Sequence, residues 1–185
     1  MQTQLSSRLK KTRYQHSLGV AQVAVELAER FGLDASQARI AGLLHDCARQ
    51  YDNGELMAQA HKRNLAIGVV ETEMPLLLHA PLGAWVAKEE YGVENEAILQ
   101  AIDRHTVGAD HMSPLDKIVY FADMIEPNRD YPGVEKLREL ARTATLDQMV
   151  LAGLNQSILF VVAKGHLIHP STIVARNEII LQNND

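Results

Sequence analysis

Cysteine is almost absent from this chain: Cys47 is the only one. A single thiol excludes an internal disulfide framework and fits a reducing compartment. No excess of basic charge is present either, since the formal net charge is −5. That balance excludes a general binder of nucleic acid or anionic membranes, which needs a basic face to displace counterions. A few local cations could still hold a small phosphorylated ligand. The polar start "MQTQLSSRLKKTRYQ" offers no signal peptide, and no apolar run of bilayer-spanning length is expected. These absences together lead to the expectation of a cytoplasmic protein.

Also missing are internal repeats, low-complexity tracts and sustained period-2 alternation, so strands are not expected. A length of 185 residues fits one domain, taken as 1–185 with its core at about 13–182. A chain of this size buries about 70% of its unfolded surface, so it needs no metal merely to hold a core. Any metal it binds is then expected to serve chemistry.

What is present is helix after helix. The first long one spans Arg13 to Phe31 with Gly32 as its stop, and His16 falls on its buried stripe. Asp34 and Gln37 form a capping box that opens a helix expected to run to Arg49, with Ala38, Ala41, His45 and Ala48 inward. "DNGEL" starts another, through Lys62. His79 stands just before a helix with Pro81 in its first turn. Ile98, Ala101, Ile102 and His105 share a face of a helix ending near Gly108. Ser113, Pro114 and Asp116 open a helix whose inner face carries Asp123 and which Pro127 ends. Helices from Val134, from Leu146 to Ala163 and from Thr172 complete the chain, with "HLIHPS" as a loop. The expected fold is all-α, about eight helices.

Within this pattern "AGLLHDCARQ" (41–50) places His45 and Asp46 side by side at the end of an apolar helical run. His16, His79, His105 and Asp123 also fall on apolar faces or helix ends. Each histidine alone has a plain explanation, a hydrogen bond to a carbonyl. Buried carboxylates are harder to dismiss, because they need a partner or a metal. Imidazole with carboxylate suits Zn, Fe, Mn, Ni or Co rather than an oxygen-only Ca site. A carboxylate can bridge two cations, and that would explain the adjacency of His45 and Asp46.

The order His, His-Asp, two further His and Asp resembles the HD-domain metal-dependent phosphohydrolases. The similarity is closer to one branch, the YqeK-like symmetrical bis(5′-nucleosyl)-tetraphosphatases. It is carried by "RYQHSLGVAQVAVELA", "AGLLHDCAR", "LLHAPLGAWVAKEEYG", "AIDRHTVG", "MSPLDKIVYFADMIEPNRDYPGVEKLR" and "KGHLIHPSTIVARN", which span about residues 9 to 180. The block "DKIVYFADMIEPNRDYPGV" with "HTVG" is its most specific part. One departure stands out: the family has Ile-Ala-Lys after the His-Asp pair where this chain has Cys47-Ala48-Arg49.

The resemblance implies an HD-domain helical bundle and a hydrolase that takes diadenosine tetraphosphate and water to two ADP. It implies His16, His45, Asp46 and Asp123 as ligands of a core metal. Asp46, His79 and His105 would form the catalytic set, the two histidines either completing a second metal or meeting the phosphates directly. The cofactor it implies is a divalent or mixed-valent transition metal, iron foremost, with Mn, Co, Zn, Ni or Mg as alternatives. Arg49, Arg104, Thr106, Arg129, Ile168 and His169 would contact the substrate, the last two against a base. A dinucleoside polyphosphate is the implied partner, with an ADP-like product, no nucleic acid and no membrane; a homodimer is compatible with it. Alternatives are an HD nucleotidase acting on mononucleotides or guanosine polyphosphates, a di-iron oxygenase, and a non-catalytic nucleotide sensor. Cys47, Trp85 and Tyr120 read as core.

Overall fold

The spine of the molecule is helix α2, Lys11–Phe31. It follows a short helix α1, Gln2–Arg8, that the sequence pattern had not suggested. The computed structural model describes residues 1–182, and among them the chain forms eleven α-helices, two 3-10 turns and no strand. The all-α expectation therefore holds, with more and shorter helices than the eight expected. Helix α2 stops at Gly32, whose φ of 70° is the left-handed conformation that glycine adopts without strain. The Leu33 N–H then reaches back to the Ala28 carbonyl at 2.8 Å.

Helix α3 (Ala35–Leu44) packs along α2. Its cap is Asp34, whose carboxylate accepts from the Ser36 and Gln37 N–H groups at 2.8 and 3.1 Å. Gln37 returns to that same carboxylate rather than to the Asp34 backbone, so the box is one-sided. Small residues let the two helices close on one another: Ala21, Ala24 and Ala28 on α2 face a helix carrying Ala38, Ala41 and Gly42, all buried.

Helices α4 (Asn53–Lys62), α5 (Val69–Glu73) and α6 (His79–Tyr91) follow. Helix α5 was not expected from the sequence, and a 3-10 turn, Pro75–Leu78, leads from it into α6. Helix α7 (Glu96–Arg104) leads to α8 (Pro114–Ile125), which lies against α2, α3, α7 and α10. A helix surrounded this way should be apolar on nearly every side. Accordingly Ile118, Val119, Tyr120, Phe121 and Ala122 are all buried. The expected box at its start is present: Ser113 Oγ accepts from the Asp116 N–H at 3.1 Å and Asp116 Oδ2 from the Ser113 N–H at 2.9 Å.

Helices α9 (Val134–Thr143), α10 (Leu146–Ala163) and α11 (Pro170–Gln182) complete the fold. The expectation of no bilayer-length apolar run needs correction, because the 18 residues of α10 reach a mean hydropathy of 1.4. Asn155, Gln156 and Ser157 interrupt the run in sequence without lowering its mean below that level. The helix buries Met149, Val150, Gly153 and Leu154 and leaves Leu159, Phe160 and Val162 exposed. Tyr120 is core as expected, whereas Trp85 is 41% exposed and is not.

Candidate metal centre

The helix expected to continue to Arg49 stops at Leu44, where His45 turns its ring back onto the last turn. Its ring Nδ1 stands 2.7 Å from the Gly42 carbonyl. That carbonyl is the acceptor the Asp46 N–H would need for another helical turn. Asp46 leaves helical geometry (φ −104°, ψ 17°) and a 3-10 turn, Cys47–Gln50, replaces the helix. The same device recurs. His105, at the end of α7, sets Nδ1 2.6 Å from the Ile102 carbonyl, and α7 ends there rather than near Gly108. His79, at the start of α6, sets Nδ1 2.5 Å from the Leu76 carbonyl.

A carbonyl accepts only, so each of these three rings carries its proton on Nδ1. Each Nε2 then offers a lone pair. His16 differs, being inside α2, where the preceding carbonyls serve the helix. Its Nδ1 meets the carboxylate of Glu126 at 3.0 Å instead.

The freed donor atoms converge. His16 Nε2 lies 3.2 Å from His45 Nε2 and 2.9 Å from Asp123 Oδ1. Asp46 Oδ2 is 3.4 Å from His45 Nε2 and 3.7 Å from His16 Nε2. Ligands bound at about 2.0–2.2 Å to one ion stand about 3 to 3.6 Å apart, so these donors fit a single cation. The other oxygen, Asp46 Oδ1, lies 3.2 Å from His79 Nε2 and 3.9 Å from His105 Nε2. Those two imidazole nitrogens are 3.1 Å apart. Asp46 thus shares its carboxylate between two groups of donors. All four histidines and Asp46 are buried, while Asp123 is partly open to solvent.

The electrostatics keep both carboxylates charged and the His105 ring neutral, the forms that ligate a cation. Burial works against the charge of Asp46, but His45 and His79 beside it hold its carboxyl well below the usual range. Asp123 is likewise lowered despite burial, through His16, His45 and Arg129. Burial, with His45 and His79 as neighbours, pushes His105 down to about 3, so its ring is neutral. Burial opposes the charged form of His45, yet Asp46 and Asp123 raise it overall.

Cations surround the open side. Arg129 donates through Nε to the Asp123 carbonyl at 2.7 Å and through Nη2 to its carboxylate. Arg13 donates to Asp46 Oδ2 at 2.7 Å. Arg49 is half-buried, and among the described residues its side chain makes no hydrogen bond or ion pair; burial lowers its pKa, while Asp46 favours its charge. Thr106 Oγ1 lies 3.2 and 3.0 Å from the Nε2 atoms of His79 and His105. Arg104 is not brought to the cluster: its guanidinium holds Asp116 and the carbonyls of Asp110 and His111. His169 contacts Glu71 at 2.7 Å, which ties its loop, with Ile168, to α5. Cys47 is buried as a filler against the Gly83 carbonyl, and burial raises its thiol pKa.

Two residues of this arrangement went unnoticed in the sequence. Arg13 stands three positions before His16, hence on the same side of α2, and spacing alone could have found it. Glu126 gave one signal, a carboxylate attached directly to the buried stripe of α8.

The model for the HD domain matches residues 13–128. A protein from Halalkalibacterium halodurans named symmetrical bis(5′-nucleosyl)-tetraphosphatase is 40% identical over 94% of this chain and 92% of its own. One of the same name from Bacillus subtilis is 39% identical over 95% of this chain and 94% of its own. The crystal structure of a predicted HD superfamily hydrolase involved in NAD metabolism, from Clostridium acetobutylicum, superposes with a TM-score of 0.93. That structure is 39% identical and covers 98% of this chain and 95% of its own. A family match over residues 13–128 and relatives 39–40% identical over nearly the whole chain show that this chain belongs to the HD domain family.

Proposed function

We propose that the chain is a metal-dependent phosphoanhydride hydrolase that cleaves diadenosine tetraphosphate symmetrically into two ADP. The observation that carries the reading is the shared carboxylate of Asp46. In this reading His16, His45, Asp46 and Asp123 would hold one divalent cation, and Asp46, His79 and His105 would hold a second. The mixed imidazole and carboxylate set suits a transition metal, and the family resemblance puts iron first, with Mn, Co, Zn, Ni or Mg as alternatives. When bound, such ions supply Lewis acidity toward phosphate oxygens and acidify the attacking water.

The chain's own residues do the rest. Water adds to one of the two central phosphorus atoms, the bond from that phosphorus to the bridging oxygen breaks, and one ADP departs with that oxygen while the hydrated half is the second ADP. The proton released by the water passes to solvent. Neutral His105 cannot receive it near pH 7, which suits the ring to holding a cation. Arg49 and Arg129 face the tetraphosphate, whose oxygens gain charge as the bond breaks. The Thr106 hydroxyl donates to a phosphate oxygen beside His79 and His105. Ile168 and His169 cover a base. Arg104 stays with Asp116 and takes no part.

Purified protein loaded with Mn²⁺, Co²⁺ or Fe²⁺ and given diadenosine tetraphosphate should release ADP alone. AMP with ATP, or undiminished turnover after chelation, would contradict the proposal.

A further inference from the structure

Three of the four histidines are oriented by a backbone carbonyl; His16 alone depends on a side chain. It is the sixth residue of α2, and every carbonyl one turn before it is occupied by the helix ladder. Its Nδ1 needs an acceptor from another element. Glu126, the residue that ends α8, provides one at 3.0 Å while itself only 1% exposed.

The surroundings are shaped to admit that carboxylate. A Cβ built on Gly19 would stand 2.5 Å from Glu126 Oε2, so a side chain there would expel it. Oε2 accepts from the Asn128 N–H at 2.8 Å and from its side-chain amide at 2.9 Å. Arg138 holds the turn separately, donating to the carbonyls of Ile125, Glu126 and Arg129 at 3.0, 2.8 and 2.9 Å. The turn therefore does not need a charge at Glu126, and a neutral amide could accept from Asn128 equally well. Burying an ion is costly unless its charge is used. The Glu126 charge also favours that of Arg129, but the group bonded to Oε1 is the His16 Nδ1–H, whose ring becomes a stronger electron donor at Nε2 when Nδ1 faces a carboxylate.

We infer that Glu126 is the positioning residue of the first donor group: it fixes the ring of His16 and sets how tightly that group holds its cation. This rests on reading His16 as a metal ligand.

The test measures Co²⁺ affinity by chelator competition, with the cobalt absorption spectrum and thermal unfolding, on the full chain and on His16→Ala, Glu126→Gln and Asn128→Ala. Glu126→Gln keeps the volume against Gly19 and should weaken Co²⁺ binding by about 10–100-fold with an altered cobalt spectrum and an unfolded-to-folded transition like that of the wild type. Asn128→Ala should lower the unfolding temperature yet leave Co²⁺ affinity within about threefold, since it touches the turn and not His16. Wild-type affinity in Glu126→Gln, or an equal loss in Asn128→Ala, overturns the inference. If Glu126→Gln fails to fold, Glu126→Asp serves: its shorter carboxylate withdraws from His16 and should also weaken binding, and unchanged affinity overturns the inference. His16→Ala separates the two levels. Unchanged Co²⁺ binding there refutes the metal site itself, whereas loss there with none in the Glu126 variants refutes only the role of Glu126.

Discussion

Asp46 touches His79 with the oxygen it does not turn toward His45: Oδ1 lies 3.2 Å from His79 Nε2 and Oδ2 lies 3.4 Å from His45 Nε2. On the proposed reading the two histidines serve different cations with Asp46 in common. His79→Ala should lower the metal content after dialysis from two ions per chain to one. Asp46→Ala should empty both groups and cut turnover on the order of 10³-fold or more, as for a member of a unit that works together. Metal analysis of both variants decides it, and equal metal contents would contradict the division.

The arginines near the site differ in what they already hold. Among the described residues the Arg49 side chain has no hydrogen-bond or ion-pair partner, so Arg49→Ala should leave the unfolding temperature unchanged. A charge-assisted bond to phosphate is worth about 1.5–3 kcal/mol, so kcat/KM for diadenosine tetraphosphate should fall about 10–100-fold. Arg104 donates at 3.2 Å to Asp116, which is fully buried. Its removal should cost about 1–3 kcal/mol of stability and spare KM. Steady-state kinetics with denaturant unfolding separates the two, and a KM effect at Arg104 would reverse their assignment.

This contrast also marks how far the sequence could be read. Apolar periodicity and caps located α2, α8 and α10 because those signals are local. Helices α1 and α5 are short, with one buried residue each, Leu5 and Val70, and so carry almost no periodic stripe. Residue type and order pointed to the six donors, which the fold then gathers. Sequence could not reveal that the His45 ring would be oriented by the Gly42 carbonyl, since that depends on a side-chain rotamer. Nor could it tell Arg49 from Arg104, which are the same residue on helix ends. Only the location of Asp116 beside Arg104 distinguishes them.

The C-terminal helix is held by two carboxylates, and both should fail in acid. Glu71 resists burial through its helix-start N–H groups and His169, which lower its pKa below 4.5. Glu178 is lowered mainly by the His111 N–H, which donates to it at 2.7 Å. A carboxyl depressed in the folded state contributes stability that is complete above its unfolded pKa and disappears as pH falls through the folded one. Docking of residues 166–182 should therefore be constant from pH 7 to about 5 and loosen below about 4.5. Hydrogen exchange across that segment should show this, and the double variant Glu71→Gln/Glu178→Gln should flatten the dependence. An unchanged acid response in the double variant would assign it to other groups.

The last prediction concerns one substitution at two helical glycines, where the sign should reverse. Replacing a helical glycine with alanine gains up to about 1 kcal/mol when nothing else changes. Gly54, in α4, is exposed, and a Cβ there would meet only the Asp52 carboxylate at 3.3 Å. Gly54→Ala should therefore be neutral or stabilising. At Gly42 a Cβ would stand 2.9 Å from Ala21 Cα and 3.1 Å from the Val20 carbonyl oxygen, both backbone atoms of α2. Backbone cannot step aside as a side chain can, so α3 must move away from α2, and overpacking of this kind costs about 1–3 kcal/mol. Gly42→Ala should be destabilised by up to about 2 kcal/mol after the helical gain is subtracted. The displacement also carries the Gly42 carbonyl that orients His45, so Co²⁺ affinity should fall together with stability. Denaturant unfolding and cobalt titration of both variants test the pair. If Gly42→Ala were as stable as Gly54→Ala, the contact between α2 and α3 would not be what requires glycine there.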